Sequence, residues 1–178
     1  MLYAHAEGFC KIAFLTYVNA INKTAIACGK ATDPLVAAAF ADVFHALPPP
    51  ADDKLTVLAR QREFIATLPQ LLARPLNVPD TAVNTEDNLS SQVVKRNLYR
   101  LGFPETLLSE YHGELDELVK HRNNIAHGAD GDPVKEADHE RLRKAVFQAM
   151  DEMTLSVVAA VENTQFLKPA APAAANNP

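Results

Sequence analysis

Leu115-Asp116-Glu117-Leu118-Val119-Lys120-His121-Arg122-Asn123-Asn124-Ile125-Ala126-His127-Gly128 is the stretch on which the reading of this chain turns. Leu115, Leu118, Val119 and Ile125 recur at helical spacing and predict the apolar stripe of an amphipathic helix from about Ser109 to Ala126. His127-Gly128 reads as its C-terminus. An arginine that keeps its charge and a histidine that titrates near neutrality therefore meet at one helix end. Those two groups are what cleavage of a phosphodiester without metal requires.

The rest of the chain reads as scaffold. Its 178 residues suit one domain with one core, and scarce Gly, absent Trp and abundant Ala and Leu favour helices over a sheet. The expected fold class is all-α. A net charge of -5 excludes a surface coated in positive potential, so any nucleic-acid contact has to come from a local basic patch. Cys10 and Cys28 fall on one predicted helix, too far apart along it to bridge, and two cysteines build no metal framework. A reducing cytoplasm is the expected setting. The start of the chain lacks a basic n-region and carries His5, Glu7 and Lys11 among its apolar residues, so neither a signal peptide nor a membrane span is expected there.

Periodicity predicts a first helix over residues 2–28, with Leu2, Phe9, Ile12, Ala13, Leu15, Tyr17, Val18, Ile21 and Ala25 facing inward and Gly29 as C-cap. Asp33-Pro34 opens a short Ala-rich helix to about Ala46, which Pro48-Pro49-Pro50 stops. A third helix, capped by Asp52 or Asp53, carries Leu55, Leu58, Phe64, Ile65 and Leu68 up to Pro69. Residues 69–88 read as an extended surface connector. A fourth helix starts near Asn88 to Ser90 and closes at Gly102. After the fifth, a turn at Asp130 to Pro133 leads to a last helix from about Lys135 to Phe166, with Leu142, Val146, Met150, Met153, Leu155, Val158 and Val161 as buried candidates. Residues 1–167 form the expected single domain, and residues 168–178, all Ala, Pro, Asn and one Lys, a disordered tail. Helices of this length joined by short turns pack as an antiparallel up-down bundle, built on the first, fifth and sixth helices plus one from the middle.

On a helix turning about 100° per residue, Arg122 and His127 point roughly 140° apart, so they do not share a face. Asn123 and His127 are nearly in line, which would let the Asn amide orient the imidazole. A single motif is thus a cramped constellation. Two copies related by a dimer two-fold would supply two arginines and two histidines around one cleft. The chemistry would be attack of a ribose 2'-hydroxyl on its own phosphate, with His127 as base or acid and Arg122 stabilising the added negative charge, so the substrate would be RNA.

Arg122-Asn123-Asn124-Ile125-Ala126-His127 resembles the signature of the HEPN superfamily, small helical bundles marked by an Arg, a polar residue, three more residues and a His. The context Leu115-Asp116-Glu117-Leu118-Val119 followed by His121-Arg122-Asn123-Asn124-Ile125-Ala126-His127-Gly128 is most similar to the prokaryotic RiboL-PSP-HEPN group. Leu2-Tyr3-Ala4-His5-Ala6-Glu7-Gly8-Phe9 agrees with it, as does Asn88-Leu89-Ser90-Ser91-Gln92-Val93-Val94 leading to Leu101-Gly102-Phe103. The resemblance implies a four-helix core with additional short helices. It also implies a metal-independent endoribonuclease that works as a homodimer, often in toxin-antitoxin, antiphage or RNA-processing settings. Arg122 and His127 take the catalytic positions and Asn123 the polar one. Some HEPN domains are non-catalytic modules that bind RNA, nucleotide or a partner protein, and that is the alternative reading.

Other residues could support the pair. Glu7, on an otherwise apolar helix face, reads either as an ion-pair partner that orients Arg122 or as a partly exposed carboxylate with no partner. Lys95, Arg96, Lys120 and His121 are candidates for RNA contact, as part of a basic content in the middle and C-terminal helices that the overall charge hides. No HxxxH or paired-ligand spacing appears, so neither a metal nor another cofactor is expected. The expected partners are RNA, a second copy of the chain and an antitoxin or other regulatory protein.

Overall fold

The structure is a computed structural model, and it describes residues 1–47, 54–84, 88–128 and 135–169. Among these residues the chain is all-α: α1 (Leu2–Lys23), α2 (Asp33–Ala39), α3 (Ala41–Ala46), α4 (Lys54–Ala73), α5 (Ser91–Leu101), α6 (His112–Ala126) and α7 (Glu136–Glu162). The core is made by α1, α5, α6 and α7, with α2 to α4 as the additional helices. No helix among the described residues is long and apolar enough to cross a membrane.

Helix directions follow from residues that meet. Ser91 at the start of α5 bonds Asp116 of α6, and Arg141 of α7 pairs with Glu114 and Glu117 of α6. Leu2 and Tyr3 line one cavity with His139 and Leu142, and Ala31 bridges Leu167 in antiparallel fashion. Consecutive α5, α6 and α7 therefore alternate up and down, as their short connections require. Helix α1, reached from α5 only through the long excursion over residues 24–90, runs parallel to α7.

Several element ends differ from the sequence reading, each for a local reason. Helix α1 stops at Lys23, not residue 28: the Asn22 side chain pairs with both backbone groups of Val78, Thr24 Oγ1 bonds the Ile21 carbonyl, and Ala25 turns left-handed at φ 49°. Cys28 thereby leaves the helix of Cys10 and enters a 3-10 turn, Cys28–Lys30, and both thiols are free and buried. Gly29 lies in that turn and is no C-cap; a Cβ on it would meet the Leu72 carbonyl at 3.3 Å. The helix expected over 34–46 breaks at buried Phe40 into α2 and α3, and Thr32, not Asp33, occupies the N-cap position. Asp52, Asp53, the Pro48 to Pro50 run and the Asp130 to Pro133 turn lie outside the described residues.

Helix α4 continues through Pro69 to Ala73. Pro69 removes a bond to the carbonyl of Ile65, whose surroundings are solvent, and buried Leu71 anchors the turn beyond it. Leu55, Leu58 and Ile65, expected inside, are exposed, because α4 packs mainly through its C-terminal turn against the 3-10 turn at Cys28. The connector after α4 is no surface loop: Leu76 and Val78 are buried, and Leu76 N–H bonds the Ile26 carbonyl. Helix α5 matches its expected signals, with Ser90 as N-cap and Gly102 as left-handed C-cap at φ 79°. Ser109–Tyr111 forms a 3-10 turn before α6. Helix α7 ends at Glu162, and a left-handed Thr164 turns Phe166 into the core. Ile12, Ile125, Leu155 and Val158, assigned to the core by spacing, are exposed; Ala6, Cys10, Phe14, Ala145, Ala149 and Val157 fill those places instead. Lys168 is held by Lys30 and Asp33, and residues 170–178 lie outside the described part.

Candidate active site

Helix α6 ends as its residues dictate. Buried Leu115, Leu118 and Val119 fix its inner face, and the three lie in its first half. The last turn therefore projects past the core, and Arg122, Ile125, Ala126 and His127 are all exposed there. His127 is the C-cap residue, its backbone N–H bonding the Asn123 carbonyl at 3.0 Å, and Gly128 leaves the helix at φ 62°.

Arg122 is held on two sides. Its Nη1 donates to Asn123 Oδ1 at 3.1 Å, and its guanidinium carbon lies 5.8 Å from the centre of the Tyr3 ring, within cation–π range. The Asn123 side chain thus engages the arginine, where the sequence reading had it orient the imidazole of His127. Tyr3 is itself fixed, since its hydroxyl accepts from Leu89 N–H at 2.9 Å, and Glu7 stands near enough to act on it. Burial raises the Tyr3 phenol above its ordinary value; the Leu89 N–H and the Arg122 charge pull it down, while Glu7 pushes it up. Glu7 reaches the arginine's surroundings through Tyr3, and no Glu7–Arg122 ion pair forms among the described contacts.

Beside Arg122 opens a cavity of about 570 Å³ between the N-terminal turns of α1 and α7 and the last turns of α6. Its polar lining is Tyr3, Glu7, His121, Arg122 and His139, and Leu2, Leu118 and Leu142 give it apolar walls. His121 Nε2 stands 3.6 Å from Glu117 Oε1, and Glu117 is bonded to Arg141. The hydrogen bond from Arg141, with the guanidinium charge behind it, holds the Glu117 carboxyl below its ordinary value against a smaller effect of burial.

Of the residues singled out by sequence, the fold brings Glu7, His121 and Arg122 to one cavity, with Asn123 and His127 at the adjoining helix end. Lys120 is exposed on α6 and does not line the cavity. Lys95 and Arg96 sit on α5, and Lys95 acts on His112, ten residues before Arg122, or about 15 Å down the axis of α6. Arg141 and Arg143, two further basic residues on α7, are paired with glutamates. Tyr3 and His139 escaped the sequence reading. Tyr3 had a signal, four residues before Glu7 on one helical face; His139 had none, since only packing of α7 brings it to α6.

An all-α bundle that presents an exposed Arg and His at one helix end, beside a polar-lined cavity, is the architecture of a HEPN-type module. The chain belongs to the RiboL-PSP-HEPN family, whose profile matches residues 1–158 and so takes in α1 to most of α7. No curated protein and no solved structure matches it.

Proposed function

We propose that this protein is a metal-independent endoribonuclease whose composite site forms across a homodimer, acting in a toxin-antitoxin or defence setting in the cytoplasm. The observation that carries the reading is the exposure of Arg122 and His127 together at the end of α6, in a chain of this family. One motif presents a single imidazole, and the reaction moves two protons. A two-fold partner would bring the second. One His127 takes the proton of the ribose 2'-hydroxyl as the 2'-oxygen bonds to phosphorus. The other gives a proton to the departing 5'-oxygen as its bond to phosphorus breaks. The products are a 2',3'-cyclic phosphate and a 5'-hydroxyl. Arg122 offsets the charge that builds on the phosphoryl oxygens, and Asn123 and Tyr3 hold its guanidinium ready. An antitoxin would act by covering the cleft or separating the protomers.

The test is incubation of purified protein with total RNA in EDTA beside His127→Ala, with analysis of fragment ends. Cleavage that survives EDTA, leaves cyclic phosphate and vanishes in the variant is expected. Absent cleavage, or cleavage equal in both proteins, would turn the reading to a non-catalytic RNA-binding module.

A further inference from the structure

The cavity beside Arg122 has the size of a small-molecule site and more chemistry than phosphate binding uses. Its walls of Leu2, Leu118 and Leu142 suit the faces of a flat aromatic ring. Facing it are one carboxylate, Glu7, one guanidinium, Arg122, and the imidazoles of His121 and His139. An ionised carboxylate only accepts hydrogen bonds. Glu7 lines the cavity beside Tyr3, whose hydroxyl accepts from Leu89 N–H. Such an acceptor selects a ligand edge that presents neighbouring donors.

Among RNA bases only guanine does so on its Watson–Crick edge, through N1–H and the exocyclic N2–H. Adenine and cytosine place a ring acceptor beside their amino group, and uracil flanks its single N–H with carbonyl oxygens. Each would set an acceptor against the carboxylate. Single-stranded RNA leaves that edge free to be read. Resting on the nuclease reading for the polymer it serves, we infer that this cavity is a guanine subsite in which Glu7 accepts N1–H and N2–H, with Arg122 at its mouth beside the following phosphate. The same chemistry would take the guanine of RNA or of a free guanine nucleotide.

The full-length His127→Ala protein would be titrated with short labelled oligouridylates carrying one central G, A, C or U, and separately with guanosine monophosphate. The G strand is expected to bind about tenfold or more tightly than the others, as one bidentate base contact provides. That preference should vanish on adding Glu7→Gln, which replaces one acceptor with a donor. Tyr3→Phe, which keeps the ring and removes the hydroxyl beside Glu7, should weaken it and serves if Glu7→Gln does not fold. Equal affinity for the four strands, including none measurable, or a preference retained in both variants overturns the inference. Binding of the monophosphate as tight as that of the G strand would support a free nucleotide as source; binding of the strand alone would support RNA. Discrimination by a protein whose parent does not cleave RNA keeps the subsite and removes the nuclease, and cleavage without discrimination does the reverse.

Discussion

Where α1, α5 and α7 finish, the bundle is laced shut; where α1, α5 and α7 begin, it is open. At the closed end Ala31 and Leu35 are fully buried, Thr32 N–H bonds the Phe166 carbonyl, Lys168 N–H bonds that of Lys30, and Cys28 N–H that of Arg74. At the open end the last turn of α6 stands clear of the core and Ile125 is 78% exposed. The difference separates two duties. Cross-links and burial at one end hold the helices in register. The other end can therefore expose an arginine, a histidine and an apolar-walled cavity without endangering the fold, as binding and catalytic groups on a rigid scaffold require. A larger groove of about 740 Å³ lies between α2, α3 and α5, but it carries neither member of the Arg122/His127 pair.

The sharpest way to break this comparison is at the open end. Arg122→Ala and His127→Ala should each lower RNA cleavage by about 10²–10⁴-fold while changing stability by about 0.5 kcal/mol or less, since both side chains are exposed. A large loss of thermal stability in either variant would show that the open end is structural. Leu98→Ala, in the fully buried core of α5, should cost about 2–5 kcal/mol in denaturant unfolding, whereas Ile125→Ala should fall within about 0.5 kcal/mol. Equal costs would erase the contrast.

Asn97 is buried, accepts from Asn84 N–H and donates to the carbonyls of Asn84 and Val93. Asn97→Ala should cost about 1–3 kcal/mol, because it removes two hydrogen bonds to the Asn84 backbone. The smallest expected effect is a pH dependence. Burial first, and then Lys95, lowers His112 below its ordinary value of 6.5, and its Nε2 is buried without a partner among the described residues. A histidine lowered in the folded state contributes stability above its unfolded value, and that contribution is lost as pH falls through the folded one. Thermal midpoints should therefore drop between about pH 6.5 and 5 by more in the parent than in His112→Gln. Identical pH profiles would remove His112 as the cause.

Local signals set α5 almost to the residue, because Ser90 and Gly102 cap it by their own chemistry. They set the end of α6 equally well through Gly128. Where the boundary depends on distant partners, they missed. Nothing near Lys23 announces that Asn22 will pair with Val78, 56 residues on, and end α1 there. Exposed apolar residues misled in a consistent way: Ile12, Leu55, Leu155 and Ile125 continue a helical stripe, but the neighbouring helix covers only part of its arc, and small residues such as Ala145 and Ala149 take the close contacts.

What the sequence determined by itself was the all-α class, the Arg122-Asn123 and His127 motif and its place at a helix end, because periodicity and capping are properties of a few adjacent residues. The tertiary structure decided that Asn123 serves the arginine, that the Tyr3 ring faces it, and that Glu7, His121 and His139 share its cavity. These groups come from α1, α6 and α7, and only the packing of those helices gathers them around one cavity.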